Sequence, residues 1–98
     1  MPITHRSFDN DAIMFTDVPG STLTLRGRKS GHGVKIDFGG FKYIGVWSAA
    51  NDAPFVALEP WTGHTTMDTE DDVFEHKVNT ITLAPGATDV RSFSVTLL

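Results

Sequence analysis

A glutamate closes a short apolar run and is followed at once by proline and tryptophan: Ala53-Pro54-Phe55-Val56-Ala57-Leu58-Glu59-Pro60-Trp61-Thr62-Gly63. In an extended chain, alternation puts Phe55, Ala57 and Glu59 on one face and Val56 and Leu58 on the other. Pro60 confines Glu59 to extended backbone angles, so the direction of its carboxylate is partly fixed. Aromatic neighbours strip water from a carboxylate, which suits it to act as a general base. A strand-end glutamate facing water, or capping a turn, has the same local pattern. A second site feature lies just upstream. Gly45 falls between Tyr43 and Trp47 on one strand face, so a missing side chain leaves a gap flanked by two aromatics. An apolar ligand face could stack on such rings, and a bulge glycine between two core aromatics is the alternative.

The elements that must position these residues read as strands nearly throughout, because the hydrophobic period is two. Ala12 to Phe15 is a short apolar run closed by the turn residues Asp17-Val18-Pro19-Gly20. Ser21 to Arg26 and Val34 to Phe38 alternate cleanly about a polar, glycine-rich connection, the pattern of a β-hairpin. Phe41 to Trp47 is rich in aromatic and β-branched residues, and Pro54 to Glu59 forms the next strand, which Pro60 is expected to stop. Thr62 to Lys77 lacks alternation and holds Asp68, Glu70, Asp71, Asp72 and Glu75, with a helical turn expected near Val73 to Lys77. Strands at Thr80 to Leu83 and Val90 to Leu97 follow, split by the turn Ala84-Pro85-Gly86-Ala87. The expected class is all-β, an antiparallel β-sandwich in one domain spanning residues 1–98. The chain ends inside a strand, so it reads as a piece of a larger sheet protein with at least one edge needing cover.

Composition excludes several classes. Twelve acidic residues against eight basic ones give a net charge of −4 and a pI near 5.3, the wrong balance for a nucleic-acid or anionic-membrane binder. Arg26, Arg28 and Lys29 cluster at one hairpin tip, too few to change that. There is no cysteine, hence no disulfide or thiolate metal site. The acidic run at 68–72 lacks Ca²⁺-loop spacing, so no metal and no cofactor is expected. No apolar stretch approaches a membrane span or a secretory signal, and the expected location is cytoplasmic.

In combination, Phe8-Asp9-Asn10-Asp11-Ala12-Ile13, Gly39-Gly40-Phe41-Lys42-Tyr43-Ile44-Gly45-Val46-Trp47-Ser48, Pro54 to Gly63 and Leu83-Ala84-Pro85-Gly86 resemble the aldose 1-epimerase (galactose mutarotase) family. The nearer likeness is to its galactose mutarotase-related branch, and the match is to the C-terminal third of those longer proteins. The resemblance implies a β-supersandwich with a hexose, such as galactose or glucose, on the concave face of a sheet. It implies an isomerase of carbohydrate metabolism that interconverts α and β anomers. There a glutamate removes the anomeric proton, a histidine protonates the ring oxygen, the ring opens, C1–C2 rotates and the ring recloses. Glu59 matches the glutamate base. Asp11 matches a sugar-binding aspartate, although its residue type equally suits a polar cap before the first strand.

The family's acid histidine, a second active-site histidine and a sugar-binding arginine fall outside the matched third. His5, His32, His64 and His76 match none of them. A glutamine of the galactose mutarotases is replaced by Gly45, and another by Trp61, as suits the related branch. The candidate site is therefore Glu59 as catalytic base, with Asp11, Tyr43, Trp47, Trp61 and His64 as substrate-binding residues. Two function classes stay open: an isomerase portion with weak or no activity alone, and a non-catalytic carbohydrate-binding or interaction module. Sheet edges offer two modes of assembly, pairing of two copies or pairing with a separately encoded N-terminal chain.

Overall fold

The alternating segments form two three-stranded antiparallel sheets in a computed structural model that describes residues 1–49, 51–63, 71 and 73–98. The strands are β1 (Ile13–Thr16), β2 (Thr22–Arg26), β3 (Gly33–Asp37), β4 (Tyr43–Trp47), β5 (Ala57–Trp61) and β6 (Ser94–Leu97). One sheet has the order β1-β4-β5 and the other β2-β3-β6. The all-β sandwich expected from the alternation is the observed class. The only helical pieces among the described residues are short 3₁₀ turns, one of them at Phe74–His76 inside the stretch expected to turn.

The hairpin β2–β3 runs in continuous register from Thr22 opposite Asp37 to Arg26 opposite Gly33. Its connection closes through Gly27 N donating to His32 O at 2.8 Å and Gly31 N to Gly27 O at 3.0 Å. Gly33 has no room for a side chain, since a Cβ there would run into the Leu25 carbonyl oxygen. After Phe38 the chain crosses to the other sheet. β4 takes the central position there, flanked by β1 (Ile13 opposite Val46) and β5 (Val46 opposite Leu58).

The core lies between the sheets. Ile36, Phe38 and Ile44 are buried, and Phe15, Val18, Leu23, Phe41 and Leu58 pack on them. Thus one face of β1, β4 and β5 is committed to the core, and the opposite face carries Tyr43, Gly45, Trp47 and Glu59. The molecule is elongated: its radius of gyration is 15.8 Å, against about 13 Å for a compact domain of this length. The C-terminal strand is the least covered part, with Val95 and Leu97 exposed although they sit opposite Ile36 and Val34.

Three strand expectations need correction. β5 is displaced from 54–59 to Ala57–Trp61 and runs through Pro60. Among the described residues it pairs with β4 alone, at the margin of the sheet, and such a strand can aim proline's missing donor away from the ladder. Thr80–Leu83 is not a strand: no described segment pairs with it, and Ile81 and Leu83 are about half exposed. Alternation supplies a face, but a strand also needs a ladder partner. The last strand is Ser94–Leu97 rather than the whole of Val90–Leu97, because its ladder partner β3 ends at Asp37, opposite Ser94.

Candidate functional site

Cross-strand register assembles the face. Tyr43 lies opposite Trp61, Gly45 opposite Glu59 and Trp47 opposite Ala57. Four of the expected site residues, Tyr43, Trp47, Glu59 and Trp61, therefore share one side of two adjacent strands. The gap expected above Gly45 is not empty. The Trp61 indole reaches diagonally across the ladder, and a Cβ on Gly45 would meet its Cζ2 at 3.1 Å, Cε2 at 3.3 Å and Cη2 at 3.4 Å. Gly45 is a seat for the indole, which explains why a residue without a side chain is buried on this face. The result is an aromatic floor beside a carboxylate in place of a well between aromatics.

Glu59 is partly exposed, and its carboxylate forms no ion pair or side-chain hydrogen bond with another described residue. It is a half-buried acceptor with capacity for an incoming hydroxyl proton. At the Trp47 end, the Phe55 ring packs on the indole at 5.6 Å and 58°. The connection between them is pinned by the buried Ser48, whose hydroxyl donates to the Phe55 carbonyl at 2.7 Å. That hydrogen bond uses the only hydroxyl proton, so His5 Nδ1, 3.5 Å from the same oxygen, is its donor.

At the Tyr43 end stands a residue that sequence reasoning missed. Asn79 adopts a left-handed conformation, φ 61°, which asparagine tolerates better than most residues. Lys42 Nζ donates to its Oδ1 at 3.1 Å. An ammonium only donates, so this contact fixes the amide orientation and turns Nδ2 toward the Tyr43 hydroxyl, to which it donates. The Asn79 carbonyl also faces Gly63, the end of the segment that carries Trp61. A lone asparagine in Lys77-Val78-Asn79-Thr80 gives no sequence signal for this role.

Other expected residues stand apart. Asp11 precedes β1 in a left-handed conformation, φ 84°, with Oδ1 accepting from Ala12 N at 2.7 Å. It is exposed and lies beyond the Trp47 end of the face, since Ile13 is already opposite Val46. His64 falls outside the described residues, as do Asp68, Glu70 and Asp72. Of that acidic run Asp71 is described. Its Oδ2 accepts from His76 Nδ1 at 2.8 Å and its Oδ1 from Val73 N at 3.0 Å. The His76 contact first, and the Val73 amide second, hold the Asp71 carboxyl below its ordinary range.

Among the described residues no set of three or more histidine, aspartate or glutamate side chains gathers as a metal site, and no helix is long and apolar enough to cross a membrane. A cleft of about 160 Å³ lies elsewhere, between Met1, Ile3, Phe15, Leu23 and Leu58 at the open margin of the two sheets. Its lining is apolar and offers no group for acid–base work.

The chain is similar to LacX proteins. It is 36% identical over all 98 residues to the chromosomal and to the plasmid LacX of Lactococcus lactis subsp. lactis. Those residues amount to 33% of the relatives' length, so the chain spans about a third of the curated proteins it matches. No protein-family model matches the chain, and no solved structure does.

Proposed function

We propose that this chain is the base-bearing portion of an aldose 1-epimerase-like isomerase, with a hexose as its ligand. The observation that carries the reading is the pairing of Glu59 with Gly45 beneath the Trp61 indole, which sets a carboxylate at the rim of an aromatic floor. A pyranose stacked on the indole presents its apolar C–H face to the ring and its anomeric hydroxyl to Glu59. Glu59 takes the anomeric proton, an acid from outside the described residues gives a proton to the ring oxygen as the C1–ring-oxygen bond breaks, and the aldehyde at C1 turns about C1–C2. On reclosure from the other face the C5 hydroxyl returns its proton to that acid and Glu59 returns its own to the aldehyde oxygen, giving the opposite anomer. The likeness of the whole chain to a third of the LacX proteins fits a portion of a larger catalyst.

Among the described residues, no acid is paired with Glu59 to protonate the ring oxygen. General acid catalysis is worth about 10²–10⁴-fold, so the chain alone is slow even where it binds. The second reading, a carbohydrate-binding module without turnover, is favoured by that same absence of an acid beside Glu59 among the described residues. Anomer exchange of glucose and galactose followed by NMR separates the two, with Glu59→Gln as control. Exchange above the buffer rate that disappears in Glu59→Gln supports the isomerase, with His64 the first local acid to replace. Saturable binding with buffer-rate exchange in both proteins supports the binding module. Partner contacts, whether a second copy or an N-terminal chain, belong to the same proposal, and the exposed β6 strand is where they would form.

A further inference from the structure

The carbohydrate face has two chemically different ends, and they lie a fixed distance apart. Glu59 is in register with Gly45, and the Tyr43–Trp61 pair is two residues further along. Two residues of strand span about 6.6 Å, comparable to the width of a single pyranose ring. A hexose with its anomeric hydroxyl at Glu59 and its ring over the Trp61 indole therefore brings its far edge, C4 and the C6 hydroxymethyl, to the Tyr43 end. The groups at that end are a hydrogen-bonded cluster: the Lys42 ammonium, the Asn79 amide and the Tyr43 hydroxyl. Lys42 Nζ also lies 6.0 Å from the centroid of the Tyr43 ring, so cation, amide and phenol sit together.

We infer that Asn79, through the Lys42 and Tyr43 groups it holds, is the residue that orients a hexopyranose by its C4 and C6 hydroxyls. The inference rests on the carbohydrate reading of the face and names the part of the sugar that is read. Its chemistry is directional. The amide accepts from Lys42 and donates to Tyr43, so the phenol oxygen is an acceptor in this pair and both partners are held in one arrangement. Polar groups whose directions are fixed by partners distinguish an axial from an equatorial hydroxyl, because only one of the two meets them at hydrogen-bonding geometry. Asn79 also ties the 73–80 segment to β4, and its left-handed backbone places the side chain over the sheet end.

The test uses Asn79→Gly and Asn79→Asp in the full chain. Glycine accepts the left-handed backbone without strain, so the fold is retained while both hydrogen bonds vanish. Aspartate retains the Lys42 contact but only accepts, so the Tyr43 hydroxyl must turn and donate to it. Tyr43 is the only tyrosine in the protein, so ¹³C-labelled tyrosine gives one resonance that reports the contact without any sugar. Asn79→Gly is expected to move that resonance and to weaken galactose binding about tenfold, the worth of one or two lost hydrogen bonds. Asn79→Asp is expected to move the resonance as well and to change the ratio of galactose to glucose affinity while circular dichroism stays that of the wild type. An unmoved tyrosine resonance in Asn79→Gly overturns the inference, and so does unchanged affinity for both sugars in both variants. A wild-type chain that binds neither hexose, with the resonance moving in Asn79→Gly as expected, overturns the carbohydrate reading and this sugar-orienting role with it.

Discussion

Gly45 holds the site together by being absent, and that can be measured. A Cβ at this position would lie 3.1 Å from Trp61 Cζ2, whereas carbons at ease sit about 3.5–4.0 Å apart. Alanine thus requires the indole to retreat by about half an ångström, and a rotamer strained to that extent costs about 0.5–1.5 kcal/mol. Against this, replacing a glycine whose backbone alanine can adopt stabilises by about 0.4–1 kcal/mol through the unfolded chain. The two effects nearly cancel, so Gly45→Ala should leave the thermal midpoint within a few degrees while changing the tryptophan emission of the folded state. Valine is different. Its methyls extend beyond a Cβ that is already tight against the ring, and overpacking of that kind costs about 1–3 kcal/mol. For a domain of this size 1 kcal/mol moves the midpoint by about 4–8 °C. A double-mutant cycle of Gly45→Val with Trp61→Ala, read by urea unfolding, isolates the steric part. Without the indole, Gly45→Val should be about 1–2 kcal/mol less harmful than in the wild-type background. An equal cost in both backgrounds would refute the claim that Gly45 is there to seat Trp61.

The remaining predictions follow from single contacts. Ile44 is completely buried at the centre of the core, so Ile44→Ala should destabilise the chain by about 2–5 kcal/mol in denaturant unfolding; a loss under 1 kcal/mol would show that the two sheets are not packed through it. Asp71 is held ionised by His76, and His76→Ala should move its NMR-detected titration up toward the ordinary value of 3.8, only partly because the Val73 amide remains. Since its folded-state titration lies below the unfolded one, any stabilisation from this pair is present above pH 3.8 and is lost as pH falls through the folded-state titration. Both groups are exposed, so the effect on overall stability is small and weakens with salt. Glu59→Gln should remove any anomer exchange above the buffer rate while leaving the unfolding free energy within about 0.5 kcal/mol of wild type, as expected for a partly exposed side chain without a partner among the described residues.

Some of this architecture is legible in the sequence because it depends on local periodicity. Leu23 and Leu25 against Val34 and Ile36 define a hairpin face that only one register satisfies, and the structure has that register. The aromatic strand at Tyr43–Trp47 is equally plain. What was not legible depends on neighbours distant in the chain. Pro60 reads as a stop until β5 is seen to pair, among the described residues, on one side alone, where a missing donor costs nothing. Ile81 and Leu83 alternate as a strand should, yet no described segment offers them a ladder. A gap at Gly45 follows from one strand taken alone, and its filling by Trp61 depends on the diagonal geometry of two. Asn79 joins Lys42 and Tyr43 across more than 30 residues, a contact that no spacing rule anticipates.

The central claim is that a hexose stacks on Trp61 beside Glu59, and its most direct measurement is a titration of the chain with galactose and glucose, following the two indole N–H resonances. The account predicts a saturable shift of the Trp61 resonance that exceeds that of Trp47 and vanishes when Trp61 is replaced by alanine. Resonances that stay in place up to the highest sugar concentration, or that move identically for both indoles and for a sugar alcohol without a ring, would contradict it.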